Sequence, residues 1–315
     1  MRRNRRIRDT RPPLPLPTSL AEAVSGGQPF AAKPALEAGL VTRYTLRSRF
    51  TQIVPGVYAT KGVELSRWDL IRAVGMWAPA DAVIGGWSAA YLHGEHWFSA
   101  DNGRGVVDVF TSLEPRVPRG VRERKLSDPV PATDVCELGG LRVTSPARTA
   151  VDVARWSRGV DRKICTIDSI CFATGTELDA VAEAASRMRG QHGVSRVVRL
   201  LDACDAEAHS PQESLLRLRI DRSSLPRPTS QVEILEPSGE LVTVADLAYI
   251  REKVAIFYDG KHHGDPGQWR RDIRINARLA DLGWQVARIA QGMSVNEVIR
   301  HIELALARAR RQRRS

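Results

Sequence analysis

At 315 residues the chain is long enough for two domains, each burying its own core, and its 43% hydrophobic and 26% charged residues are ordinary for a globular protein. It has no run of about 18 apolar residues, which excludes the classes of function that need a membrane-spanning helix. The formal net charge of +11 points to a polyanionic partner, with nucleic acid first, because clustered arginines release counterions when they bind it.

In chain order, the first stretch carries Arg2, Arg3, Arg5, Arg6, Arg8 and Arg11 against Asp9 alone. Prolines follow where a secretory signal needs an apolar run, so residues 1–28 are expected to form a basic, Pro-rich disordered arm on a cytoplasmic protein. Residues 29–62 carry a short helix around Ala31–Ala38, a turn at Gly39 and a second helix capped by Thr42 that bears Arg43, Arg47 and Arg49. Gln52–Tyr58 alternates around Pro55-Gly56, as a β-wing does, and the sum reads as a small winged helix-turn-helix whose three arginines meet phosphates.

Residues 63–205 read as an α+β region. Its helices are expected at Glu64–Trp77, Trp87–His93, Pro146–Trp156, Asp161–Phe172, Thr176–Met188 and Gly193–Ala203, with strands near Val106–Phe110 and Leu141–Val143. His93 and His96 have no third ligand nearby and read as structural. Cys136, Cys165, Cys171 and Cys204 lack C-x-x-C spacing, which points to reduced thiols and no zinc site.

Residues 206–308 have the clearest order. A helix opens at Ser210-Pro211, strands follow at Gln231–Leu235, Leu241–Ala248 and Lys253–Asp259, and a helix at Arg270–Leu282 stops at Gly283. A strand at Trp284–Ile289 and a helix at Ser294–Arg310 complete an α-β-β-β-α-β-α series, and residues 309–315 read as a basic tail. The fold class is therefore α/β: a C-terminal mixed sheet flanked by helices, preceded by an α+β region with the small winged segment.

A set of positions in this last region points to phosphodiester chemistry. Asp246 interrupts an apolar strand, where a lone carboxylate is costly unless paired or bound to a metal. Asp259 ends the next strand, followed by Gly260, Lys261, His262 and His263, and Glu213 lies in the first helix. Paired carboxylates can hold Mg²⁺ or Mn²⁺, and a lysine or histidine beside them can orient an attacking water. Other readings stand beside these: Glu213 sits at N3 of a capping box with Ser210, Asp259-Gly260 can be a plain turn, and Lys261 can be solvated.

The stretches SPQESLLRLRI, VADLAYIREKVAIFYDGKHH and RRDIRINARLADLGWQVARI resemble the very-short-patch-repair-like (Vsr-like) endonuclease domains of the PD-(D/E)XK superfamily. Glu213, Asp246, Asp259-Gly260, His263, Asp272 and Gly283-Trp284 match the motif. The resemblance implies a restriction-endonuclease-like sheet and a Mg-dependent endonuclease. In it Asp246 and Asp259 hold the metal, Lys261 or His263 orients water, and Glu213 assists. One position departs: Phe257 stands where the family carries an acid. Asp259-Gly260-Lys261 itself supplies a D-x-K, and very-short-patch-repair enzymes also lack an acid there.

The stretch from Pro29 to Ala59, with AVIGGWSAAYLHG after it, is similar to the winged-helix domain of abortive-infection (AbiE-type) antitoxins. Two functions follow as expectations: a DNA-binding protein with a hydrolytic C-terminal domain, or a catalytically inactive DNA-binding regulator that uses the nuclease fold as scaffold. RNA is the other polyanion that the basic ends would attract.

Overall fold

The computed structural model describes residues 19–98, 105–111, 118–124, 129–259 and 266–313. It is a mixed α/β protein whose chain divides into two compact units, one comprising Met1–Arg158 with Ala173–Leu201, the other Gly159–Phe172 with Asp202–Ser315. No helix among the described residues is long and apolar enough to cross a membrane.

The first unit opens with α1 (Leu20–Ser25), β1 (Phe30–Ala31), α2 (Ala32–Glu37), α3 (Arg43–Arg49), β2 (Phe50–Val54) and β3 (Val57–Thr60). The three strands form an antiparallel sheet in the order β1-β3-β2, so helix, strand, helix, helix and hairpin follow as in a winged helix. The sequence reading put residues 19–28 in a disordered arm. Instead, Ser19 caps α1 by accepting from the Glu22 amide at 3.1 Å, and Ala23 joins Phe30, Ala35, Val41 and Leu46 in a small core. So short a segment gives no period to read, and the core contact decides. The expected arm over residues 1–18 lies outside the described residues.

The rest of this unit is a five-stranded mixed sheet with helices against it. In chain order come α4 (Arg67–Trp77), β4 (Val83–Ile84), α5 (Gly86–Leu92), β5 (Val107–Phe110), β6 (Val121–Glu123), β7 (Val135–Leu138), β8 (Leu141–Thr144) and α6 (Pro146–Trp156). After α7 (Val160–Thr174), which falls almost wholly in the second unit, α8 (Leu178–Arg187) and α9 (Val194–Val198) return to the first. The strand order is β6-β5-β4-β8-β7. Three of these strands escape the sequence reading because they span two to four residues, too short for alternation to register. His93 is buried and its Nε2–H donates to the Thr144 carbonyl at 2.7 Å, a structural use of the ring.

The second unit contains α7, α10 (Pro211–Asp221), β9 (Thr229–Leu235), β10 (Leu241–Tyr249), β11 (Val254–Asp259), α11 (Pro266–Asp281), β12 (Gln285–Ala290) and α12 (Val295–Gln312). From α10 onward the series is the α-β-β-β-α-β-α read from sequence. The sheet order is β12-β11-β10-β9, antiparallel except for the β11–β12 pair. One face packs Leu247, Tyr249, Val254, Ile256, Ala287 and Ile289 against α10 and α12, through Leu216, Ile220, Val298 and Ile302. The other face sets Ala248, Ala255, Phe257, Trp284 and Val286 against Ile275, Leu279 and Leu282 of α11.

Two boundaries differ from the sequence reading. Helix α7 had been grouped with the α+β region, but its buried Asp168 fastens it to α10 by accepting from Ser214 Oγ at 2.7 Å and Arg217 Nη2 at 3.0 Å. A third donor, the Asp205 amide, lies 2.7 Å away. Much of the E-S-L-L-R stretch is thereby used in holding the unit together. At the C-terminus, α12 runs on to Gln312 with Ala309 in the core, so residues 309–312 are helix rather than tail.

Candidate functional site

Strand register draws one row of side chains across the second sheet. Ala245 faces Val232 and Leu247 faces Ser230, so Asp246 lies opposite Gln231. The β10–β11 ladder ends at Leu247–Ile256, one step before Asp246 would face Phe257, and Phe257 is paired with Arg288 on β12. The row is therefore Gln231, Asp246, Phe257, Arg288. Alternation puts Phe257, Asp259 and Arg288 on the α11 face, since Tyr258, Ala287 and Ile289 pack toward α12, while Asp246 lies between Ala245, packed on the α11 face, and Leu247, packed toward α12.

The ladder ends there because a side chain replaces it. The Tyr258 amide, unpaired across the opening strands, donates to Asp246 Oδ2 at 2.7 Å. Asp246 is half-buried. Burial raises its pKa above the usual carboxylate range, the charge of Asp259 raises it further, and the Tyr258 hydrogen bond and Arg288 act against both. Asp259, at the end of β11, accepts from Arg288 Nη1 at 3.0 Å through Oδ1 and keeps 28% side-chain exposure. The two acids thus lie on neighbouring strands within reach of each other's charge, and neither is sealed off.

Glu213 is the third acid. The structure shows the expected cap: its amide donates to Ser210 Oγ at 3.3 Å, and its Oε1 accepts from the same hydroxyl at 2.9 Å. Its Oε2 accepts from the His209 amide at 3.0 Å and from Gln231 Nε2 at 2.8 Å, which ties α10 to the row. Burial, with the charge of Asp246 second, lifts its pKa to about 7. Gln231 makes this bond from a left-handed backbone with φ of 50°. A non-glycine residue held there costs on the order of 1–3 kcal/mol, and such strain concentrates at functional sites.

Lys261, His262 and His263 lie outside the described residues. Among the described residues no three histidine, cysteine or acidic groups converge as a metal site. The oxygens Asp246 Oδ1 and Asp259 Oδ2 accept no bond from a described residue, and hard oxygens of this kind suit Mg²⁺ or Mn²⁺. The four cysteines are free, and burial pushes the Cys165 thiol up to about 12, as befits inert core residues. A hollow of about 490 Å³, lined by Arg219, Arg222, Val295, Asn296, Ile299 and Arg300 between α10 and α12, contains none of the three acids.

Sequence reasoning missed Arg288, Gln231 and Asn276. Arg288 was within reach, because it interrupts the apolar strand V-A-R-I-A as Asp246 interrupts its own. Gln231 carries no such signal, since its role depends on backbone conformation. In the first unit, Arg43, Arg47 and Arg49 are all exposed on α3, with Tyr44 at 79% exposure between them. Lys61 donates to the Arg47 and Ser48 carbonyls at 2.7 and 3.0 Å, capping the C-terminal end of that helix.

No protein-family model and no solved structure matches the chain. It is similar to two Mycobacterium tuberculosis proteins, MT2308 of strain CDC 1551 / Oshkosh and Rv2248 of strain ATCC 25618 / H37Rv, both described as uncharacterized. Each is 28% identical over 260 residues, covering 79% of this chain and 91% of the relative. The likeness extends beyond either unit alone.

Proposed function

We propose that the protein binds DNA through α3 and its wing and hydrolyses phosphodiester bonds at the carboxylate row of the second unit. The observation that supports this most is the placing of Asp246 and Asp259 on neighbouring strands within reach of each other's charge, with Glu213 beside Asp246, in an α-β-β-β-α-β-α order. The resemblance to Vsr-like domains supports the same reading. Asp246 and Asp259 would hold Mg²⁺ or Mn²⁺, which when bound supplies positive charge to the phosphate and acidity to a water.

This chain's own groups do the rest. Asp246, fixed by the Tyr258 amide, presents its second oxygen in a set direction. Glu213 holds Gln231, and with it the edge of the row. Lys261 or His263, following β11, orients the attacking water. On α3, Arg43, Arg47 and Arg49 contact backbone phosphates. The test is incubation of the purified protein with supercoiled plasmid and Mg²⁺ or Mn²⁺. Cutting is expected, and Asp246→Asn is expected to reduce it by about two orders of magnitude or more. Undiminished cutting by that variant removes the site from the reaction.

A second reading is a non-catalytic DNA-binding regulator, favoured by Arg288, which already neutralises Asp259 without a metal. Salt-sensitive DNA binding, without cutting and without heat on millimolar Mn²⁺ titration, would select it.

A further inference from the structure

Arg288 is an unusual occupant of a short, mostly apolar strand. Its guanidinium is held on three sides: Nη1 donates to Asp259 Oδ1 at 3.0 Å, Nη2 donates to Asn276 Oδ1 at 3.2 Å, and the group lies 5.3 Å from the centre of the Phe257 ring. An arginine anchored to a carboxylate, an amide and an aromatic ring uses its planar fork and its stacking face together, so it is not a solvated surface cation. Phe257 is the residue that departs from the Vsr-like pattern. An acid at that place would favour a metal, whereas a ring favours a guanidinium.

We infer that Arg288 is the resident counter-cation of the carboxylate row, so that a divalent cation enters only by drawing Asp259 away from it. This rests on the site reading above and adds what regulates it. A cation bonded to Asp259 through oxygens at about 2.0–2.6 Å would stand beside a charge that does not deprotonate in proteins. In a half-buried pocket that repulsion is only partly screened. The exchange of acid for phenylalanine and the docking of Arg288 on its ring are two parts of one arrangement. It holds the acids together in the absence of metal and sets a low affinity for it.

The experiment is titration of the full-length chain with Mn²⁺, followed by the electron paramagnetic resonance of the free ion. Arg288→Met, which keeps length and removes charge, is expected to bind Mn²⁺ about tenfold more tightly or better. Arg288→Lys, which keeps the charge, is expected to stay within a few-fold of the parent. Asn276→Ala, which frees one anchor, is expected to tighten binding a few-fold, and it carries the test if Arg288→Met does not fold. Equal or weaker binding by Arg288→Met, or by Asn276→Ala in its place, overturns the inference. The site reading fails separately: Asp246→Asn and Asp259→Asn must each weaken Mn²⁺ binding in the Arg288→Met background. If neither does, the metal lies elsewhere and both ideas fall; if both do while Arg288→Met gives no tightening, only the role of Arg288 falls.

Discussion

The buried carboxylates of the first unit and the carboxylate row of the second keep opposite company. In the first, Asp134 meets Arg148 at 3.3 Å and Arg187 at 2.7 Å, and Asp152 meets Arg148 at 2.8 Å and Arg155 at 2.9 Å. Each acid there has two arginines, and Arg148 bridges the pair from 1% exposure. In the second, the charge of Asp246 raises the pKa of Glu213 and that of Asp259 raises the pKa of Asp246, and the row has Arg288 as its cation among the described residues. Acids matched to bases are what a folded core tolerates; acids gathered with acids at an open face need a reason outside folding. The contrast separates structural charge from candidate functional charge within one chain.

The largest expected effect tests the structural side. Arg148→Met leaves Asp134 and Asp152 with one arginine each in a dry core, and the loss in urea unfolding is expected to be on the order of 3–5 kcal/mol. A loss under about 1 kcal/mol would place that network with the dispensable ion pairs and blur the contrast.

Next is Glu213→Gln. The amide suits the same partners: its oxygen accepts from the His209 amide and Gln231, and its nitrogen donates to Ser210 Oγ. The carboxyl's folded pKa, about 7, lies above its unfolded value, so ionisation opposes folding. The parent therefore loses stability as pH rises from about 4.5 to 7, and a residue that does not titrate escapes that loss. The variant should match the parent near pH 5 and exceed it at pH 8 by roughly 2 kcal/mol, read from thermal unfolding at the two pH values. A difference that does not change with pH would mean that Glu213 is no more than a cap.

The smallest effect concerns exposed charge. Arg47→Ala should lower DNA affinity evenly across sequences and make the log–log salt dependence shallower by about 0.9, the share of one phosphate contact. An unchanged slope in titrations at several salt concentrations would move the interface off α3.

Much of the second unit was legible because its signals are local. Apolar alternation marked four strands, Ser210-Pro211 and Ser294 marked helix starts, and Gly283, with φ of 77°, marked a helix end. The same logic found Thr42 and α3, and it singled out Asp246 by its misfit. It missed β4, β6 and β7 of the first unit, where so few residues carry no clear period. It also missed α7's allegiance, because Asp168 and Ser214 are 46 positions apart.

By itself, then, the sequence determined the order of elements in the second unit, the basic face of α3 and the placing of acids at strand positions, since periodicity and capping depend on near neighbours. Only the tertiary structure decided which groups face those acids. The Asp259–Arg288 pair spans 29 positions and exists because β12 lies parallel to β11, while Gln231 reaches Glu213 only from a backbone conformation that its residue type does not announce. Charge partners are chosen by strand order and backbone twist, and neither is written in any short window of the chain.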